Sequence, residues 1–200
     1  MRLILDRQHG DKGRGWTPGA TVDLDGDGTV DLIEAELTPI YLAAIRTAAE
    51  EAGHEVVYLD SGSYRSRHRI AVQRSLLKAQ TAYLAAHLNA GAGGDYGAVF
   101  FDYRSTGSKL LAECISDSLR EACPELSKVR AIEARPDHWT SNAWHTIRGI
   151  WHAPAWASGV CLEPCFLDNP DHNQLLTTEG LTRVGLACLR GAEKWAILRS

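Results

Sequence analysis

Residues 82–88 read Ala-Tyr-Leu-Ala-Ala-His-Leu, an apolar run of strand length with almost no polar alternation. A strand can be apolar on both faces only if both faces are covered, the usual condition of a parallel sheet between helical layers. Residues 98–103 and 159–167 repeat the pattern, and shorter strands are expected at 2–6, 55–60 and 129–134. Longer segments of helical periodicity fall between them. Thr38-Pro39 reads as an N-cap with proline at the first helical position, opening a helix that stops at Gly53. Further helices are expected over 65–80, 109–122 and 173–198. This alternation predicts one α/β domain over residues 1–200, a three-layer sandwich with a twisted, mostly parallel sheet of about six strands.

Charge and apolar content narrow the function. The chain carries 21 Lys and Arg against 25 Asp and Glu, a formal net charge of −4, so a nucleic-acid partner is not expected. No apolar run approaches the roughly 20 residues of a membrane span, so no membrane insertion is expected. The first apolar stretch meets Asp6 at once and is too short for a signal peptide. Five cysteines without zinc-finger spacing suit a chain made in a reducing cytoplasm. Cys161 and Cys165 read as small buried apolar residues.

In open α/β sheets, functional side chains gather at the carboxyl ends of strands. That rule selects His9 after the first strand, His87 at the end of the third and Glu163 within the sixth. A carboxylate in an apolar strand is costly to bury unless it is paired or bound to a cation. Two histidines and a carboxylate converging on one edge suit a catalytic zinc site with a fourth position left for water.

The order and neighbours of these residues are more specific than the rule. His9-Gly10, a glutamate before helix one, His87-Leu88-Asn89-Ala90, and Leu162-Glu163-Pro164 with Phe166-Leu167-Asp168-Asn169 follow one another along nearly the whole chain. This pattern resembles the zinc-dependent N-acetylmuramoyl-L-alanine amidases, the family often called amidase type 3. The resemblance implies that His9 and His87 bind zinc with a glutamate that opens helix one. It implies that Glu163 is the catalytic carboxylate acting on a zinc-activated water. Both Glu34 and Glu36 precede the helix. The family's usual distance, counted back from Gly53, favours Glu34, which also sets Leu37, Tyr41 and Ile45 on one face; Glu36 is the alternative. The chain has Arg7-Gln8 where the family usually has Pro-Gly, and Cys165 where it favours glycine.

The function so implied is hydrolysis of the peptidoglycan amide between N-acetylmuramic acid and L-alanine. Alternatives are a zinc carboxypeptidase or deacylase on another amide, and a non-catalytic, calcium-dependent wall-binding module. With no signal peptide and no separate wall-binding domain expected, the chain reads as a monomeric phage-type endolysin. It would be made in the cytoplasm and act on the wall after release.

A second metal is suggested by residues 23–34, which match the calcium loop of EF-hand proteins. Asp23, Asp25, Asp27, Asp31 and Glu34 stand at loop positions one, three, five, nine and twelve, Thr29 supplies the carbonyl at seven, and Gly28 is at the turn. Glu34 is thus claimed by both metals. If zinc takes it, calcium closes its shell with the aspartates, the Thr29 carbonyl and water. Asn89, Trp144 and Trp151 are candidate substrate contacts, on the reasoning that aromatic walls with few polar fixtures hold a sugar ring or peptide. Arg65, Arg67, Arg69 and Arg74 read as a solvated helix face that an anionic wall polymer could use.

Overall fold

The computed structural model describes residues 1–11, 15–77, 79–91, 94–126 and 128–200. Six strands form the central sheet: β1 (Arg2–Arg7), β2 (Glu55–Leu59), β3 (Thr81–Ala86), β4 (Tyr96–Asp102), β5 (Lys128–Ala134) and β6 (Ala157–Glu163). Their order is β2-β1-β3-β6-β4-β5. All neighbours pair parallel except β6 with β4, so β4 and β5 run against the other four. The expected strand count and mostly parallel sense are both found.

Alternation along the strands feeds two cores. Leu3, Leu5, Leu84, Val99, Val160 and Leu162 face one side and pack on α1 (Glu34–Glu51), α3 (Thr106–Ala122) and α5 (Thr178–Leu198). Ile4, Tyr83, Ala85, Phe100 and Cys161 face the other, under α2 (Tyr64–Ser75) and α4 (Ser141–Ile147). β3 is buried at every position, which accounts for its unbroken apolar run. All five cysteines are buried free thiols. Among the described residues, no helix is long and apolar enough to cross a membrane.

Helix boundaries differ from expectation where capping is tertiary. α1 begins at Glu34, not after Thr38, and Pro39 lies inside it. Ile33 offers no side-chain cap. Instead the amides of Glu34 and Ala35 donate to the carbonyls of Ala20 and Pro18, at 2.9 Å each. Pro39 cannot donate to the Ala35 carbonyl four residues back. The Arg7 guanidinium donates there in its place, at 3.0 Å. α3 starts earlier than expected because Ser105 caps it, accepting from the Ser108 amide. α2 ends at Ser75, short of Gln80, and residue 78 lies outside the described residues. α5 starts at Thr178 because residues 170–172 form a separate 3-10 turn.

Two features were not anticipated. Short antiparallel ribbons pair Gly10–Asp11 with Trp16–Thr17 and Thr21–Val22 with Leu32–Ile33. The second closes the base of the acidic loop. Residues 12–14 lie outside the described residues. The segment before β6 forms α4 and a 3-10 turn, Arg148–His152.

α2 is fastened to the sheet by a buried ion pair. Arg67 Nε lies 3.1 Å from Asp6 Oδ1, both side chains almost fully buried. Tyr83 donates its hydroxyl to the other Asp6 oxygen, and Arg67 Nη2 donates to Gln8 Oε1 at 3.0 Å. Removing one partner of such a pair leaves an uncompensated buried charge. Arg67→Met should therefore lower unfolding stability by about 3–5 kcal/mol in urea. An Asp6→Leu/Arg67→Met double variant should recover part of that loss, and a single variant as stable as the parent would contradict this account.

Candidate metal centre and catalytic cleft

The carboxyl ends of three adjacent parallel strands, β1, β3 and β6, meet the start of α1. His9 lies two residues beyond β1, His87 directly follows β3, and Glu163 is the last residue of β6. Glu34 is the first residue of α1, where helix amides favour a carboxylate. All four line one cleft of about 500 Å³, shared with Asn89, Tyr64 and His145 among others.

Three of these side chains converge. His9 Nε2 is 3.2 Å from His87 Nδ1, His87 Nδ1 is 3.0 Å from Glu34 Oε1, and His9 Nε2 is 3.5 Å from Glu34 Oε2. Donors about 2.0–2.1 Å from a tetrahedral zinc ion stand roughly 3.3 Å from one another. The observed separations bracket that spacing, and two imidazole nitrogens with a carboxylate oxygen are donors zinc accepts. The residues therefore fit a zinc ion. Glu36, the alternative ligand, is exposed on the far side of the turn and does not join the cluster.

The support around Glu34 is fixed by backbone. Its Oε2 accepts from the Ala20 amide at 2.8 Å and its Oε1 from the Leu88 amide at 2.9 Å. Tyr41, two turns along α1, donates to the His87 carbonyl at 3.0 Å. Such outer contacts fix the orientation of metal ligands. Burial works to raise the Glu34 carboxyl, but the hydrogen bond and charge of His87, with His9 and the Ala20 amide, hold it below the usual range. Burial likewise works to lower His87, and Glu34 more than offsets it, raising the imidazole above its ordinary value. Glu163 is pushed up, chiefly by burial and further by Glu34, against the opposing charge of His87. Two carboxylates in one cleft are thus driven apart, one kept anionic and one made more basic.

The other sequence candidates separate. Asn89 lines the cleft. Trp144 instead lines a neighbouring trough, and Trp151 is exposed under the Arg104 guanidinium, 4.8 Å from ring centroid to carbon. Tyr64 and His145 also line the cleft, and the one sequence signal for either is that His145 stands beside Trp144. In the acidic loop, Asp23, Asp25 and Asp27 bring carboxylate oxygens within 4.8 Å of one another, all exposed. They also accept local amides: Asp23 from Gly26 and Gly28, Asp25 from Asp27, and Asp27 from Thr29. The Gly28 and Gly26 amides hold Asp23 below the ordinary carboxylate range. Asp31 Oδ2 accepts from the Leu24 amide at 2.8 Å. Glu34 does not complete this loop, because its carboxylate is committed to the histidine pair.

No family model matches the chain, and no curated protein matches it by sequence. Solved structures do match in shape. The amidase CwlD from Clostridioides difficile, solved in complex with the GerS lipoprotein, superposes with a TM-score of 0.69 at 21% identity over 98% of both chains. The N-acetylmuramoyl-L-alanine amidase AmiC2 of Nostoc punctiforme gives 0.68 at 16% identity, covering 100% of this chain and 98% of that one. The catalytic domain of the CD27L endolysin targeting C. difficile gives 0.58 at 16% identity over 94% and 96%. The chain has the fold of the N-acetylmuramoyl-L-alanine amidases. Within that amidase fold the cleft lies where open α/β sheets place their sites.

One glycine carries the metal centre's geometry. Gly19 has φ +72°, and a Cβ there would lie 2.4 Å from Glu34 Oε2 and 2.8 Å from the His9 ring. Gly26 has a similar φ of +77° with nothing within 4 Å. Gly26→Ala should thus cost only the left-handed penalty of about 1–2 kcal/mol, whereas Gly19→Ala should lose clearly more in urea unfolding. Equal losses would mean that the Glu34 carboxylate is not tightly enclosed.

Proposed function

We propose that this protein is a zinc-dependent N-acetylmuramoyl-L-alanine amidase that cuts peptidoglycan between N-acetylmuramic acid and L-alanine. The observation that carries the reading is the convergence of His9, Glu34 and His87 in one cleft with Glu163, on an amidase fold. His9, Glu34 and His87 would hold the ion. The chemistry a bound zinc supplies is Lewis acidity, which polarises a carbonyl and makes water acidic near neutral pH.

The chain's own groups do the rest. Burial pushes the Glu163 carboxyl above its ordinary value and so makes it a stronger base, suited to accept a proton from the attacking water and return it to the leaving amine. Water adds to the carbonyl carbon, the C–N bond breaks, and the products are a lactyl carboxylate and an L-alanyl amine. Glu34 remains anionic and takes no proton. The Asn89 side-chain oxygen already accepts from the Ala90 amide at 2.9 Å, which leaves its NH2 group to meet the substrate. Likeness to an endolysin catalytic domain supports action on the wall as a lytic enzyme after release.

The acidic loop would take a structural calcium ion through Asp23, Asp25, Asp27, the Thr29 carbonyl and Asp31, with water in place of Glu34. By linkage the ion stabilises only the folded loop. Excess calcium should therefore raise the melting midpoint of the parent and leave an Asp25→Ala/Asp27→Ala variant unmoved. A parent midpoint indifferent to calcium removes this site.

Digestion of purified peptidoglycan is the primary test of the reaction. New L-alanine amino termini are expected, and other termini would instead indicate a carboxypeptidase or deacylase. Glu163→Gln should keep fold and zinc content while hydrolysis falls by at least about 10²-fold. His9→Ala and His87→Ala should each lose zinc by elemental analysis. Full zinc occupancy in either variant, or undiminished turnover in Glu163→Gln, would overturn the assignment.

A further inference from the structure

A second trough, of about 730 Å³, runs between α2 and the 3-10 turn Arg148–His152. It adjoins the catalytic cleft, since Tyr64 and Arg148 line both. Arg65 and Arg69 enter it from α2 and Arg148 from the facing wall, all three exposed. Among the described residues none of the three forms an ion pair, and no Asp or Glu lines the trough. Arg104 also lines it, but both of its Asp102 contacts are close, at 2.8 and 2.6 Å, so its charge is already matched.

This is a concentration of unmatched positive charge in a chain of net charge −4. Arg65 and Arg69 stand four apart on one helix, where like charges repel and destabilise. Arg148 is held over the Trp144 ring, 5.2 Å from its centroid. That position is kept by close packing: a Cβ on Gly149 would fall 2.4 Å from the His68 ring, whose Nε2 donates to the Thr146 carbonyl at 2.7 Å. Guanidinium forks match carboxylates in bidentate geometry, and Tyr64, Val72 and Trp144 add apolar wall beside them.

We propose that this trough is the subsite for the peptide arm of the substrate, its arginines binding the carboxylates that arm carries. The inference rests on the amidase reading of the adjoining cleft. A substrate spanning the scissile amide is asymmetric in charge. Its acetylated sugars are neutral, whereas its peptide bears free carboxylates within a few bonds of the amide nitrogen. An unmatched cationic trough that adjoins the cleft therefore sets the direction in which the substrate lies, peptide toward α2. Phosphate also suits arginine forks, but a wall phosphate polymer is not bonded to the scissile amide and has no need of a trough continuous with it.

Binding of a product-like peptide tests this without turnover. The probes are the tripeptide L-Ala-γ-D-Glu-L-Lys and the same peptide with both carboxylates amidated, titrated calorimetrically into the metal-loaded protein. The acid is expected to bind at least about ten-fold more tightly than the diamide, with an affinity that falls as salt rises. Arg65→Gln/Arg69→Gln should abolish the difference, and Arg65→Lys/Arg69→Lys should restore part of it. In wall hydrolysis the glutamine variant should lose mainly through KM rather than kcat. Equal binding of acid and diamide, or acid binding unchanged in the glutamine variant, would overturn the proposal. So would arginine-dependent binding of poly(glycerol phosphate) with none of the tripeptide. Arginine-dependent tripeptide binding in a protein that releases no new L-alanine termini would sustain the trough and remove only the amidase reading.

Discussion

A buried carboxylate at the head of a helix is the constraint on which the site depends. Glu34 accepts amides from Ala20 and Leu88 while its two oxygens face His9 and His87. Those partners come from the loop ahead of α1, from the end of β3 and from the end of β1. A charge taken out of water must have its lone pairs met, and here meeting them requires three segments to stand in one arrangement. Gly19 is part of the same requirement, since only a residue without Cβ leaves room for the carboxylate and the His9 ring. Tyr41 extends the tie along α1 to the His87 carbonyl. His9, Glu34 and His87 are thus brought together by contacts of the protein's own backbone and side chains.

The second constraint lies on the opposite face of the sheet. Asp6 and Arg67 hold α2 against β1, and the Arg67 guanidinium also sits 4.9 Å from the Tyr64 ring centroid. Tyr64 lines both cleft and trough, so one buried pair locates the wall common to the two. Arg65 and Arg69 project from the same helix. The two sides of the site are therefore set by different ion pairs in different layers, joined through β1 and, by way of Tyr83, through β3.

How much of this was legible in the sequence follows from which forces are local. Unbroken apolar runs reveal strands buried on both faces, as in β3, β4 and β6, whereas the edge strands β2 and β5 show only as shorter, partly polar runs. His9, His87 and Glu163 stood out because chemistry at strand ends breaks that apolar pattern. Glu34 and Glu36 could not be separated by pattern, since the choice depends on where α1 begins. Thr38-Pro39 imitates a local cap, whereas the real caps are the Pro18 and Ala20 carbonyls, which are remote from the helix pattern. α4 and the 3-10 turn escaped notice because seven and five residues are too short to establish a period. The α2 arginines looked like a solvated face for a related reason: periodicity says which side of a helix is polar, and nothing about what stands across from it.

The departures from the family pattern also acquire a physical meaning. Where Pro-Gly is usual before the first histidine, Arg7 and Gln8 each make a contact that Pro-Gly could not. Gln8 accepts from Arg67 and so joins the strand end to the buried pair that holds α2. Arg7 donates to the Ala35 carbonyl, the group that Pro39 leaves without its helical partner. A proline at that position in a helix removes a hydrogen bond and crowds the carbonyl behind it, at a cost of about 3 kcal/mol when nothing compensates. The guanidinium returns a charge-assisted bond to that carbonyl. It also ties the segment carrying His9 to the helix carrying Glu34, two residues from His9 and one from Glu34. Proline in α1 and arginine at the end of β1 are therefore best understood together: the defect opened by the one is the anchorage used by the other, and it lies at the base of the His9 and Glu34 side chains.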